Sequence, residues 1–107
     1  MDVKQIAETI YRQFGGRRAA AMIGMYAVGY RKNKDGNAEF SFKFKAGRKA
    51  NYCAIVLTPD DLYDMVIERV SLRQAGMHRR EVARHEGIFF DQLQPLFEDA
   101  TGLCLSL

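Results

Sequence analysis

Four basic side chains, Lys43, Lys45, Arg48 and Lys49, crowd into one short stretch of the chain. A cluster of that kind can neutralise a polyanion such as nucleic acid by displacing its condensed counterions. Lys43 and Lys45 belong to Phe40-Ser41-Phe42-Lys43-Phe44-Lys45, where aromatic rings alternate with polar side chains. That two-residue period is the period of a β-strand, so one face is buried and the other wet. Burying each ring is worth about 1.5–3 kcal/mol, which fixes the register and leaves both ammonium groups on the outer face. Arg79 and Arg80 extend the set from farther along the chain, and Tyr26, Tyr30 and Tyr52 supply rings on which bases can stack. The Phe40, Phe42 and Phe44 rings are read as core, not as a stacking platform. Gly15-Gly16-Arg17-Arg18 offers backbone amides and guanidinium groups to phosphate; the alternative is a plain helix stop followed by solvated arginines. The lysines also have an alternative, since charges on an outer sheet face keep it soluble and block edge pairing.

His85-Glu86-Gly87 places an imidazole beside a carboxylate, a pair that can share a proton near neutral pH. Adjacent residues rarely aim at one point, and no second pair or activated nucleophile accompanies them. Their expected role is structural, in the loop before the last helix. His78 stands among arginines with no partner at metal-ligand spacing. The glycines at 15 and 16 match neither a P-loop nor a dinucleotide fingerprint. Cys53 and Cys104 form no close pair and lie in apolar stretches, so both are expected as buried thiols. These readings predict a protein that is not an enzyme and uses neither metal nor cofactor.

Net charge is only +3, but it is unevenly spread. Residues 17–49 carry nine cations against Asp35 and Glu39, a net +7, and residues 72–85 carry +3. Residues 50–71 and 86–107 are acidic, at −3 and −4. Such asymmetry steers an anionic partner even when total charge is modest. With 48% hydrophobic and 27% charged residues in 107, the composition is that of one globular domain spanning 1–107. No apolar run approaches the roughly 20 residues that cross a bilayer, and Met1-Asp2-Val3-Lys4 leads straight into a polar amphipathic segment. A cytoplasmic protein that does not engage membranes is expected.

These side chains must be positioned by a small set of elements. Val3, Ile6, Ala7, Ile10 and Phe14 recur at helical spacing, predicting a helix from Asp2 to Phe14 that Gly15-Gly16 stops. Residues 19–30 are ambiguous: Ala19-Ala20-Ala21-Met22 favours helix, while Ile23, Tyr26, Val28 and Tyr30 favour the strand, with a bulge, that we expect. Asp35-Gly36 marks a hairpin turn before the Phe40 strand, and residues 46–51 form a second turn. Tyr52 to Thr58 is a buried central strand, Pro59-Asp60-Asp61 turns the chain, and Leu62 to Val70 runs back with Tyr63, Met65 and Ile67 inward. Residues 71–86 lack a clean period and are expected as a mobile connection with a helical turn near 81–84. Phe89, Phe90, Leu93, Leu96, Phe97 and Ala100 outline a closing helix that Gly102 ends, either starting near Asp91 or kinking at Pro95. The predicted fold class is α+β: a two-layer sandwich of a four-stranded antiparallel meander flanked by N- and C-terminal helices, in the order αββββα.

Several fixed points resemble a family of short proteins encoded by bacterial phages, prophages and plasmids. They are Ile6-Ala7-Glu8-Thr9-Ile10 with Gly15-Gly16, Ala21-Met22 with Gly24, Leu57-Thr58-Pro59 with Asp61 and Tyr63, and His85-Glu86-Gly87. Asp91-Gln92-Leu93, Phe97, Thr101-Gly102-Leu103 and Ser106-Leu107 continue the match to the end of the chain. The chain departs from the family at Pro95 and is longer over residues 71–81. The resemblance implies an accessory protein of a mobile element and carries no catalytic residues. Combined with the basic strand face, it gives a first expectation: a non-enzymatic binder of nucleic acid or a nucleoprotein through Arg17, Arg18, Lys43, Lys45, Arg48, Lys49, Arg79 and Arg80. The second is a protein-binding module that interferes with a host process such as anti-phage defence. It would use a strand edge or an apolar patch near Met22, Met25 and Met77, or form a homodimer.

Overall fold

The alternation in Ala38–Phe44 becomes the second strand of a sheet whose residues are buried and half-buried in strict turn. The computed structural model describes residues 2–74 and 76–105. In chain order its elements are α1 (Val3–Phe14), α2 (Gly16–Ile23), β1 (Met25–Lys32), β2 (Ala38–Phe44), β3 (Tyr52–Leu57), β4 (Tyr63–Arg73) and β5 (Gly76–Ile88). A 3-10 turn (Phe90–Gln92) and α3 (Leu93–Thr101) follow. The strands pair consecutively and antiparallel as β1-β2-β3-β4-β5, a meander. The architecture is α+β with an antiparallel sheet, but it has five strands and three helices where four and two were expected.

The helices pack on one sheet face. Ala7, Ile10 and Phe14 of α1, Ala19 and Ile23 of α2, and Leu93 and Phe97 of α3 join Phe40, Phe42, Phe44, Cys53, Ile55, Met65 and Ile67 in one buried cluster. Its centre is aromatic: Phe14 and Phe97 meet edge to face with ring centroids 5.0 Å apart, and Phe42 lies 5.2 Å from Phe14. Such tilted and edge contacts suit the ring quadrupole and add about 0.5–1.5 kcal/mol per pair to the burial itself. Asp2 caps α1, its carboxylate accepting from the Gln5 amide at 2.9 Å while the Gln5 side chain accepts from the Asp2 amide at 3.1 Å. Gln94 donates to the Phe14 carbonyl at 2.9 Å, tying α3 to the end of α1. A Cβ on Gly15 would lie 2.6 Å from that of Ala19, so this glycine lets α2 start directly against α1.

Three expectations about elements are corrected, for residues 19–23, 71–86 and 89–90, while the bulge in the first strand and a closing helix that starts just before Pro95 are as expected. Residues 19–23 are helical, because Ala19 and Ile23, one turn apart, both reach the core; the strand begins only after Gly24, in left-handed geometry, at Met25. Its bulge is real and lies between Tyr26 and Gly29, where Ala27 takes a φ of 50°. Residues 71–86 are not a mobile connection: β4 continues to Arg73 and β5 returns from Gly76, so His85-Glu86 sits in a strand and not in a loop. The closing helix begins at Leu93, which places Pro95 in its first turn, where a missing amide costs nothing. Phe89 and Phe90 lie outside it and are exposed. Cys53 is buried as expected, whereas Cys104 is exposed.

Among the described residues, no helix is long and apolar enough to cross a membrane.

Candidate nucleic-acid interface

Because all three helices take the inner face, the outer face of the sheet is open. Antiparallel register sets which side chains stand together there. Lys43 on β2 is opposite Tyr26 on β1 and Tyr52 on β3, and Tyr52 is opposite Glu68 on β4. Cross-strand partners share a face and stand about 5 Å apart, so Tyr26, Lys43 and Tyr52 form one row across three strands. Two further cations close on the rings: the Lys45 Nζ lies 5.3 Å from the Tyr26 ring centroid, and the Arg79 guanidinium lies 4.9 Å from that of Tyr52. Each contact is worth about 0.5–1 kcal/mol at an exposed site. Glu68 holds Arg79 in place, accepting from its Nη2 at 2.6 Å and its Nε at 3.0 Å. The hydrogen bond from Arg79 to Glu68 raises the guanidinium pKa further.

Two turns extend this row at one end of the sheet. In an antiparallel meander the β2–β3 turn and the β4–β5 turn leave the sheet on the same side. The first carries Lys45, Arg48 and Lys49, and Asn51 fastens it to the second. The Asn51 side chain accepts from the Val70 amide at 2.7 Å and donates to the Val70 carbonyl at 2.8 Å, continuing the ladder where β3 stops. Beyond Asn51, β4 and β5 pair only with each other, out to Arg73 opposite Gly76. This free ribbon reaches about 10 Å past the sheet at about 3.3 Å per residue. On its outer face Leu72 stands opposite Met77, and the two side chains are 84% and 60% exposed.

Of the eight candidate residues, Lys43, Lys45, Arg48, Lys49 and Arg79 gather at this end of the open face or on its adjoining turn. Among the described residues, no carboxylate lies within ion-pair distance of the first four. Arg80 does not join them. It lies opposite Arg69 on the other face of the ribbon, because neighbouring residues of a strand point in opposite directions. Arg17 and Arg18 are exposed in the first turn of α2, in the helical layer, at the far end from Ile23. The other end of α2 meets the cationic turn, the Ile23 carbonyl accepting from the Lys45 and Ala46 amides at 3.1 Å. Tyr30 also leaves the set: opposite Phe40, it faces the helices and borders an apolar groove of about 360 Å³ with Tyr11 and Val28. The methionine patch does not form, since Met22 and Met25 pack against the core and only Met77 is exposed.

At the other end of the open face charges of both signs mix, Arg31, Lys32, Lys34 and Arg84 with Asp35, Glu39 and Asp64. An open depression of about 470 Å³ is rimmed by Arg31, Glu39, Asp64 and Arg84. Arg31 pairs with Glu39 at 2.8 Å, and Arg84 with Glu81 at 2.7 Å. Among the described residues, no three His, Cys, Asp or Glu side chains assemble into a metal site. Sequence reasoning missed Leu72 and the stacking of Arg79 on Tyr52; both depend on β5 being a strand. The Arg-rich stretch 79–84 gave the only hint. Comparison of the chain with protein-family models, with curated proteins and with solved structures finds no match.

Proposed function

We propose that the protein is a non-enzymatic accessory protein of a mobile genetic element that binds nucleic acid, free or in a nucleoprotein, through the cationic end of its open sheet face. The supporting observation is the row Tyr26, Lys43, Tyr52 in register, with Lys45 and Arg79 stacked on its two rings. Lysines that served only solubility would have no reason to alternate with aromatic rings across strands. A polyanion uses both parts, phosphates meeting the ammonium groups and bases meeting planar surfaces. The mobile-element part of the reading is supported by the resemblance of the blocks at residues 6–10, 57–63 and 85–103.

The test is a pair of charge reversals. Lys43 and Lys45 lie on the wet face, so Lys43→Glu with Lys45→Glu leaves the core untouched. The double variant keeps the wild-type circular dichroism and a cooperative melt, lowered by about 2–8 °C through loss of the Lys45–Tyr26 contact, and loses at least 100-fold in affinity for a labelled oligonucleotide at 50 mM salt. Unchanged affinity in a folded double variant contradicts the proposal.

A further inference from the structure

The open face carries more than cations. Across β1, β2 and β3 the row runs Tyr26 capped by Lys45, then Lys43, then Tyr52 capped by Arg79; on β4 and β5 it reaches Glu68 opposite Glu81, and from there the same face continues along the ribbon to Val70 opposite Arg79 and Leu72 opposite Met77. All of these lie on one face, since Glu68, Val70 and Leu72 alternate with the inward positions of β4 while Glu81, Arg79 and Met77 are their respective partners on β5. From Tyr26 to Glu68 the stripe crosses three strand spacings of about 4.8 Å, and it then follows β4 over the four residues from Glu68 to Leu72, about 13 Å at about 3.3 Å per residue. We propose that this stripe takes single-stranded rather than duplex nucleic acid, and that the Leu72–Met77 pair receives an unstacked base at its end. The inference rests on the proposed function and specifies its substrate class.

The two kinds of ligand expose different groups. A duplex hides the faces of its bases and presents phosphates along its rims. It would satisfy Lys43 and Lys45 but leave the planar and apolar groups between them facing nothing. A single strand offers π-faces that stack on tyrosine rings, on the plane of an arginine guanidinium or on apolar side chains, with phosphates reaching the cations between. Arg79 is prepared for this. Glu68 holds its guanidinium over Tyr52, so a base can lie on its outer side, which is 49% exposed. Leu72 and Met77 are the largest apolar exposure on the ribbon. Beyond the Glu68–Glu81 pair, the described ribbon residues on this face, Val70, Leu72, Met77 and Arg79, carry one cation and no carboxylate, which leaves the apolar pair open to a base beside a charge that attracts phosphate.

The experiment compares ligands and variants in one anisotropy series at 50 mM and 200 mM salt. The probes are a labelled 12-nucleotide oligothymidylate and the same strand annealed to its complement. The expected result is at least tenfold tighter binding of the single strand. Leu72→Ala with Met77→Ala, at exposed positions that leave the fold intact, then weakens single-strand binding about tenfold and leaves duplex binding and the salt slope unchanged. Equal affinity for the two probes, or an oligothymidylate affinity indifferent to the double substitution, overturns the inference while the proposed function stands. Binding of neither probe, with binding to vesicles containing anionic phosphatidylserine instead, overturns both.

Discussion

Cys53 is the titratable side chain held farthest from water, placed between Phe42 and Ile67 in the register of the sheet and fully buried. Burial pushes its thiol pKa well above the ordinary value, because a thiolate there would lose its hydration. The sign follows from linkage. A folded pKa raised above the unfolded one gives stability that is complete below about pH 8.5 and declines as pH rises beyond it. One such group lowers stability by about 1.4 kcal/mol per pH unit above that point, or about 2 kcal/mol by pH 10. Urea unfolding under reducing conditions at pH 7.5, 9 and 10 should show this slope in the wild type and a flatter one in Cys53→Ala. Equal slopes would remove Cys53 as its source. Tyr63, raised mainly by burial and donating its hydroxyl to the Gln13 side chain, adds to the decline above about pH 10. At this scale the core was legible in the sequence: Phe40, Phe42, Phe44, Cys53 and Ile55 alternate, and periodicity alone places them inside. The split between Arg79 and Arg80 was not, since it depends on knowing that the segment is extended.

The elements that escaped sequence reading share one physical cause. β5 is an edge strand with little beneath it, and only its Val82, Ala83 and Ile88 touch the core. Its burial pattern therefore has no two-residue period to detect. Its bulges, where the register slips against β4, and its many charges are what an exposed edge needs to resist pairing with another chain. α2 was hidden differently. Its eight residues are read together with the β-branched and aromatic residues beyond Gly24, and only the tertiary contact of Ala19 and Ile23 decides the matter. The ribbon formed by β4 and β5 depends at its root on the side chain of Asn51, which bonds both backbone groups of Val70. Asn51→Ala removes two hydrogen bonds and is expected to cost about 1–3 kcal/mol. It should also speed amide exchange at Val70 selectively, read by hydrogen exchange with the core amides of β3 as reference. Uniform exchange along β4 in the variant would show that the ribbon stands without this tie.

Over the whole molecule, charge and shape are aligned. The chain folds into a slab of 40 × 35 × 21 Å, thin because one helical layer covers one sheet face. The turns at one end carry Lys45, Arg48 and Lys49 beside the arginine-bearing ribbon, while at the other the β1–β2 turn sets Lys34 beside Asp35 and the β3–β4 turn carries Asp60 and Asp61 near Glu86. The net charge of +3 conceals this polarity. An anionic partner therefore meets an oriented surface, and its affinity must carry the signature of counterion release. Three or four neutralised phosphates on a single strand give a slope of log affinity against log salt of about −2 to −3. The most direct test is this slope, measured for the oligothymidylate between 50 mM and 200 mM salt in the wild type and in Arg48→Ala with Lys49→Ala. The wild-type slope is expected to be steep and to become shallower by about 1 to 1.5 in the variant; a salt-independent affinity, or a slope the substitutions leave unchanged, would rule out binding of the strand at this end of the sheet.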